Sequence, residues 1–238
     1  MLQKTIINKK SEKVSGCKKT LKILFMKKLV FGLIATVMMS SNSFSQKTIL
    51  GNFTATEIGY YHNQVLNILS KNDLLNGSPE KIKELLSAEL PKIDKRFMKS
   101  DIVESVDNLY LNTNFNTDLL INKNLLDYQA NVLNVCENNK TISTNVKDLI
   151  ITNSKDIINI NRAIDSAVKS NFFSQNDKVY LQAYQSIYNN SNEYWNSNGS
   201  TGKWQAYAAD AVAGICGLYG GPVWSIVQGA IVSAAFDW

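Results

Sequence analysis

The chain has 238 residues, 25 of them basic and 20 acidic, for a formal net charge of +5. Positions 1–45 hold nine of those basic residues and one acid, Glu12, so the remainder has 16 basic and 19 acidic residues and a net charge of −3. That balance excludes a nucleic-acid partner recruited by overall positive charge. The ~190 residues after position 45 suit one domain with a real core.

Positions 1–45 read as an export leader. Met26-Lys27-Lys28 forms a positive start, Leu29–Met39 an apolar run, and Ser43-Phe44-Ser45 the small-residue cleavage signal. Cleavage is expected before Gln46, which places the protein in the periplasm or the medium. Residues 1–25 look like an upstream extension, with Met26 as the true start. The apolar run is shorter than a membrane span, and no cysteine lies at the cleavage point to carry a lipid anchor. Cys17 leaves with the leader. Cys136 and Cys216 remain in an oxidising compartment, either as a disulfide or as two buried thiols.

Helix signals then follow in order. Thr54-Ala55-Thr56-Glu57 is a capping box ahead of Ile58, Tyr61, Val65 and Ile68 at helical spacing. Ser78-Pro79-Glu80 supplies a cap, a proline at the first helical position and an acid in the first turn, and Ile82, Leu85, Leu86 and Leu90 follow. Pro91 should end or kink that helix. A third helix is expected over Asp101–Leu111, and a fourth carries Leu119, Leu120, Leu125, Leu126, Val132 and Leu133. Thr141–Phe173 should form two helices broken at Asn153-Ser154. Ser174-Gln175-Asn176-Asp177 caps a further helix bearing Tyr180, Tyr184 and Tyr188. Residues 189–203, rich in Asn, Ser and Gly, read as a polar linker that separates a helical domain at 46–188 from a tail at 204–238.

The tail is the most distinctive stretch. From Ala211 to Phe236, 26 residues carry no charge. Ala209, Ala213, Gly217, Gly221, Ser225, Gly229 and Ser233 recur every fourth position, a glycine-zipper pattern that lets backbones approach closely. Gly220-Gly221-Pro222 is a natural hinge, so the tail is expected to fold as an apolar hairpin of about 204–219 and 222–236. The unbroken register of the stripe argues instead for one kinked helix. Trp204, Tyr207 and Trp238 flank the segment as interfacial aromatics do. Asp210 and Asp237 bracket it and resist burial while charged. The apolar side chains contribute only ~−3 to −5 kcal/mol on a membrane-insertion scale, which makes insertion marginal.

Catalytic signals are absent from the pattern. His62 stands alone and is expected on a helix surface or half-buried. No nucleophile, metal-ligand or phosphate-loop motif is present, so no enzymatic activity, cofactor, metal or small-molecule ligand is expected. The Tyr180, Tyr184 and Tyr188 stripe reads as core ahead of a ligand platform.

A bundle of amphipathic helices with an apolar, Gly/Ala-rich C-terminal hairpin resembles colicin-type pore formers, and the small-residue stripe is similar to bacteriocin peptides. The resemblance covers the tail alone. It implies a hairpin sheltered in the resting form and deployed into a bilayer. The fold class read from the sequence is all-α. The function read from it is an exported, non-enzymatic protein of interaction or structural type with the tail buried; the alternative is a bacteriocin-like or pore-forming protein. Its partner is a membrane or another protein, met through the tail.

Overall fold

The computed structural model describes residues 49–74, 77–112, 125–197 and 204–235. Among these are nine α-helices and no strand. They are α1 Ala55–Lys71, α2 Pro79–Ile93, α3 Lys99–Asn112, α4 Leu125–Asn138, α5 Thr144–Asn153, α6 Ile157–Lys169, α7 Gln175–Ser197, α8 Trp204–Gly217 and α9 Pro222–Ala235. A 3-10 turn at Leu218–Gly220 joins the last two. The fold is all-α, and the described residues fall within one compact unit. The leader with its cleavage point before Gln46, Leu119 and Leu120, and the end of the tail with Phe236, Asp237 and Trp238 lie outside the described residues.

Local chemistry sets the helix ends. Thr54 Oγ1 accepts the Glu57 N–H at 3.2 Å, while Glu57 Oε2 accepts the Thr54 N–H at 2.8 Å. Ser174 and Asp177 repeat the arrangement at the start of α7, at 3.1 and 3.2 Å. Asn72, Asn139 and Asn153 each donate at 2.8 Å to the carbonyl four residues back, satisfying acceptors that a helix end leaves open. Pro91 does not stop α2 at once. The helix runs to Ile93 and closes with the Asp94 N–H on the Leu90 carbonyl at 3.0 Å.

The expected linker at 189–203 is corrected over 189–197; residues 198–203 lie outside the described residues. α7 continues to Ser197 because Ser191, Tyr194 and Trp195 prolong the buried face begun by Tyr180, Tyr184 and Tyr188. Burying that face outweighs the modest helix aversion of Asn and Ser. The tail is accordingly no separate domain. α8 and α9 form the middle of the bundle, packed on each other and on α1, α3, α4 and α7, while α2, α5 and α6 pack outside these.

Close approach decides the register. The Thr56 carbonyl accepts from Ser186 Oγ at 3.3 Å and the Asn190 carbonyl from Asn63 Nδ2 at 2.8 Å, so α1 and α7 run in the same direction. Gly59 makes that crossing possible: a Cβ there would lie 2.3 Å from Ser186 Oγ and 2.5 Å from the Ser186 carbonyl oxygen. Within the hairpin a Cβ on Gly217 would lie 2.8 Å from the Trp224 carbonyl carbon and oxygen. Backbone cannot yield as a side-chain tip can. Gly217→Leu should therefore destabilise the protein by about 1–3 kcal/mol or more, with ~2–4 °C of melting temperature lost per kcal/mol. Gly217→Ala should show a smaller loss of the same sign. Thermal denaturation followed by circular dichroism measures both, and unchanged melting would mean that the two arms do not meet there.

Candidate functional site

The hinge folds the small-residue stripe back on itself. Gly221 sits at φ +110° with nothing within 4 Å of a would-be Cβ, so it serves the turn and not the packing. On one side of the turn, Gly217 faces Trp224 and Ser225; further down, a Cβ on Gly229 would lie 3.2 Å from the Asp210 carbonyl oxygen and 3.4 Å from Gly214 Cα. Ala209, Ala213, Ser225 and Ser233 are all buried. The tip is different: Tyr219 and Gly220 are exposed, and the Trp224 ring lies against Gly220.

A polar network lies at the other end of the hairpin, inside the core. Asp210, expected at the tail's edge, is fully buried, because its turn of α8 faces α7 and α9. Its Oδ2 accepts hydrogen bonds from Ser191 Oγ and, at 2.6 Å, from Ser233 Oγ; Ser233 Oγ in turn accepts from Trp195 Nε1 at 3.0 Å. Asp210 Oδ1 has no partner among the described residues, nor do the buried hydroxyls of Tyr184 and Tyr207. Burial pushes the Asp210 carboxyl up to about 7, with the Ser191, Ser233 and Trp195 hydrogen bonds acting the other way. Asp210 can therefore take up or release a proton near neutrality.

His62 is corrected from a surface or half-buried residue to a fully buried one. It lies on the face of α1 that meets α9, with its ring against Gly229. Nδ1 lies 3.1 Å from Asn63 Oδ1, and Nε2 is without a hydrogen bond among the described residues. Burial lowers its pKa to about 4, although Asn63 and the nearby Gly229 backbone both favour the charged form. On α9, Gln228 Nε2 donates to the Ser105 carbonyl of α3 at 3.1 Å.

Cys136 and Cys216 form a disulfide between α4 and α8, with Cα atoms 6.4 Å apart. Of the expected interfacial aromatics, Trp204 and Tyr207 fall within the described residues and Trp238 lies outside them. Tyr207 is 4% exposed, its ring edge-on to Tyr188, because residue 207 lies on the core side of α8; Trp204 is half-buried. The tyrosine stripe is core: Tyr184 and Tyr188 stack, and Tyr188 Oη donates to the Ser154 carbonyl at 2.8 Å. Sequence reasoning missed Ser191, Trp195 and Gly59 as partners of the tail or its neighbours. The continued spacing from Tyr188 through Ser191 to Trp195 was the available signal.

Among the described residues, no three His, Cys, Asp or Glu side chains are grouped to hold a metal ion. No helix among them is long and apolar enough to cross a membrane. Comparison with protein-family models, with characterised proteins and with solved structures returns no match for this chain.

Asp210 and His62 pull the pH dependence of stability in opposite directions. Asp210 titrates at 3.8 when unfolded and about 7 when folded. The native state thus holds the extra proton, and stability falls as pH rises between those values, by on the order of 4 kcal/mol. His62 titrates at 6.5 when unfolded and about 4 when folded. Here the unfolded state holds the extra proton, and stability rises over that window by on the order of 3 kcal/mol. Between pH 5 and 6 the two should nearly cancel in the native protein. Asp210→Asn should leave stability that rises with pH, and His62→Gln stability that falls with it. Urea midpoints for the three proteins check this; parallel pH profiles would refute it.

Proposed function

We propose that the chain is an exported, non-enzymatic helical protein that acts through its surface, with the C-terminal hairpin as its permanent core. The observation that carries this reading is the burial of the hairpin: between Ala206 and Ala234 only Tyr219 and Gly220 are exposed. Side chains such as Val212, Ile215, Ile226, Val227, Ile231 and Val232 are already out of water. Moving them into hydrocarbon would gain little further hydrophobic free energy. It would break the Asp210 network and the Gln228 bonds, and each arm, at 14 residues, is ~21 Å long against a ~30 Å hydrocarbon core.

A second reading, that of a membrane-active protein resembling pore formers, is favoured by one observation. Amphipathic helices enclose a hairpin whose one carboxylate among the described residues is held close to neutral, so proton uptake would remove its charge cost. Vesicle experiments on the mature chain separate the two readings. The core reading expects no dye release from anionic vesicles and unchanged tryptophan emission at both pH 8 and pH 5. Dye release with a blue shift at pH 5 would replace it with the membrane-active reading.

A further inference from the structure

We propose that the Cys136–Cys216 disulfide is a redox latch: it holds α4 against the tip half of the hairpin, residues 213–226, and its reduction lets the two separate while the base of the hairpin stays anchored. This goes beyond the reading above and does not depend on a membrane.

The argument rests on how unevenly the hairpin is held. Its base is fixed by the Asp210, Ser191, Ser233 and Trp195 network, and the middle of α9 by Gln228 on α3. At the tip, Cys216 stands beside Gly217 at the end of α8, and the turn beyond it exposes Tyr219 and Gly220. Across the bridge, α4 packs on α8 along a narrow apolar face. Among the described side chains of α4, only Gln129, Leu133 and Cys136 are buried. Gln129 spends its hydrogen bond on Ser154, 3.0 Å away at the end of α5. Glu137 of α4 pairs with Lys147 of α5 and accepts from Thr144 Oγ1 at 2.6 Å. These polar contacts tie α4 to α5. The bridge is what ties it covalently to the hairpin.

Opening needs a dithiol reductant. Its thiolate attacks Cys216 Sγ, the half-buried partner, and the S–S pair leaves on Cys136 Sγ, which takes a proton. The second thiol of the reductant then resolves the mixed disulfide. Cys216 is freed as a thiol and the reductant leaves as a disulfide, two electrons and two protons having passed to the protein. In an oxidising compartment the latch stays closed.

Hydrogen exchange on the full mature chain tests this, comparing oxidised protein, protein reduced with dithiothreitol, and the Cys136→Ser/Cys216→Ser double variant. The expected result is exchange about 100-fold faster in peptides covering 125–138 and 213–226. Peptides covering α1, α2 and α6 and the base of the hairpin should stay within ~3-fold of the oxidised protein. Acceleration spread evenly over all helices, including complete unfolding of both reduced forms, would make the bridge a global staple and overturn the latch. Unchanged exchange in 125–138 and 213–226 would overturn it equally.

Discussion

A stretch of 26 residues without a charge, Ala211 to Phe236, has to be kept from water, and the rest of the described fold follows from how this is done. The hinge at Gly220-Gly221-Pro222 turns what would be one long rod into two arms that cover each other along one face. Their remaining faces need α1, α3, α4 and α7. Because the arms are built from small residues, they can lie nearly backbone to backbone, and larger side chains then come from outside. Tyr184, Ile187 and Tyr188 of α7 fill the space that Ala and Gly leave, with Ile187 Cδ1 lying where a Cβ on Gly214 would be. A hairpin of leucines would have been wider, and α7 would have no room for its tyrosines.

This arrangement carries a polar cost at its centre. A carboxyl on the inner face of α8 must be satisfied by its neighbours, and Ser191 and Ser233 do so from two other helices while Trp195 fixes Ser233. The network thus specifies the rotational setting of α7, α8 and α9 relative to one another. Apolar packing alone would specify that less sharply, since Ala and Val tolerate small rotations. On the opposite side of Gly229, a neutral His62 is a second buried ionisable group. One group gains a proton on folding and the other loses one, so their linkage terms oppose each other over most of the mildly acidic range.

Legibility from sequence followed locality. Caps at Thr54, Ser78 and Ser174, the break at Asn153-Ser154 and the turn at Gly220-Gly221-Pro222 are decided by residues within a few positions, and these were readable. The extension of α7 through Asn189–Ser197 was not, because contacts with α8 and α9 override the weak local propensity there. Asp210 and Tyr207 looked like edge residues beside an apolar run. What buries them is the presence of α7 across the hairpin, which no spacing within the tail reveals. The four-residue stripe misled in one respect. Its register continues through Gly221, as in a single rod, yet Gly221 sits at positive φ in the turn, and each arm uses its own part of the stripe against the other. A repeat can persist in sequence while its structural meaning changes at a hinge.

The two ends of α8 are held by different chemistry. Asp210 and Cys216 are six residues apart, ~9 Å along the helix axis. The first is held by hydrogen bonds whose strength depends on protonation; the second is held by a covalent bond that depends on redox poise. Loss of either leaves the other in place. Loosening the tip alone would therefore expose a limited apolar surface around Tyr219, Trp224 and the first turn of α9 without dissolving the core. Loosening the base alone would gain nothing comparable, because Ser233 lies against Trp195 of α7 and the bridge would still hold the arm. Partial exposure through the tip is thus the movement this fold makes easiest, and full departure of the hairpin, as a pore former would require, needs both anchors undone together.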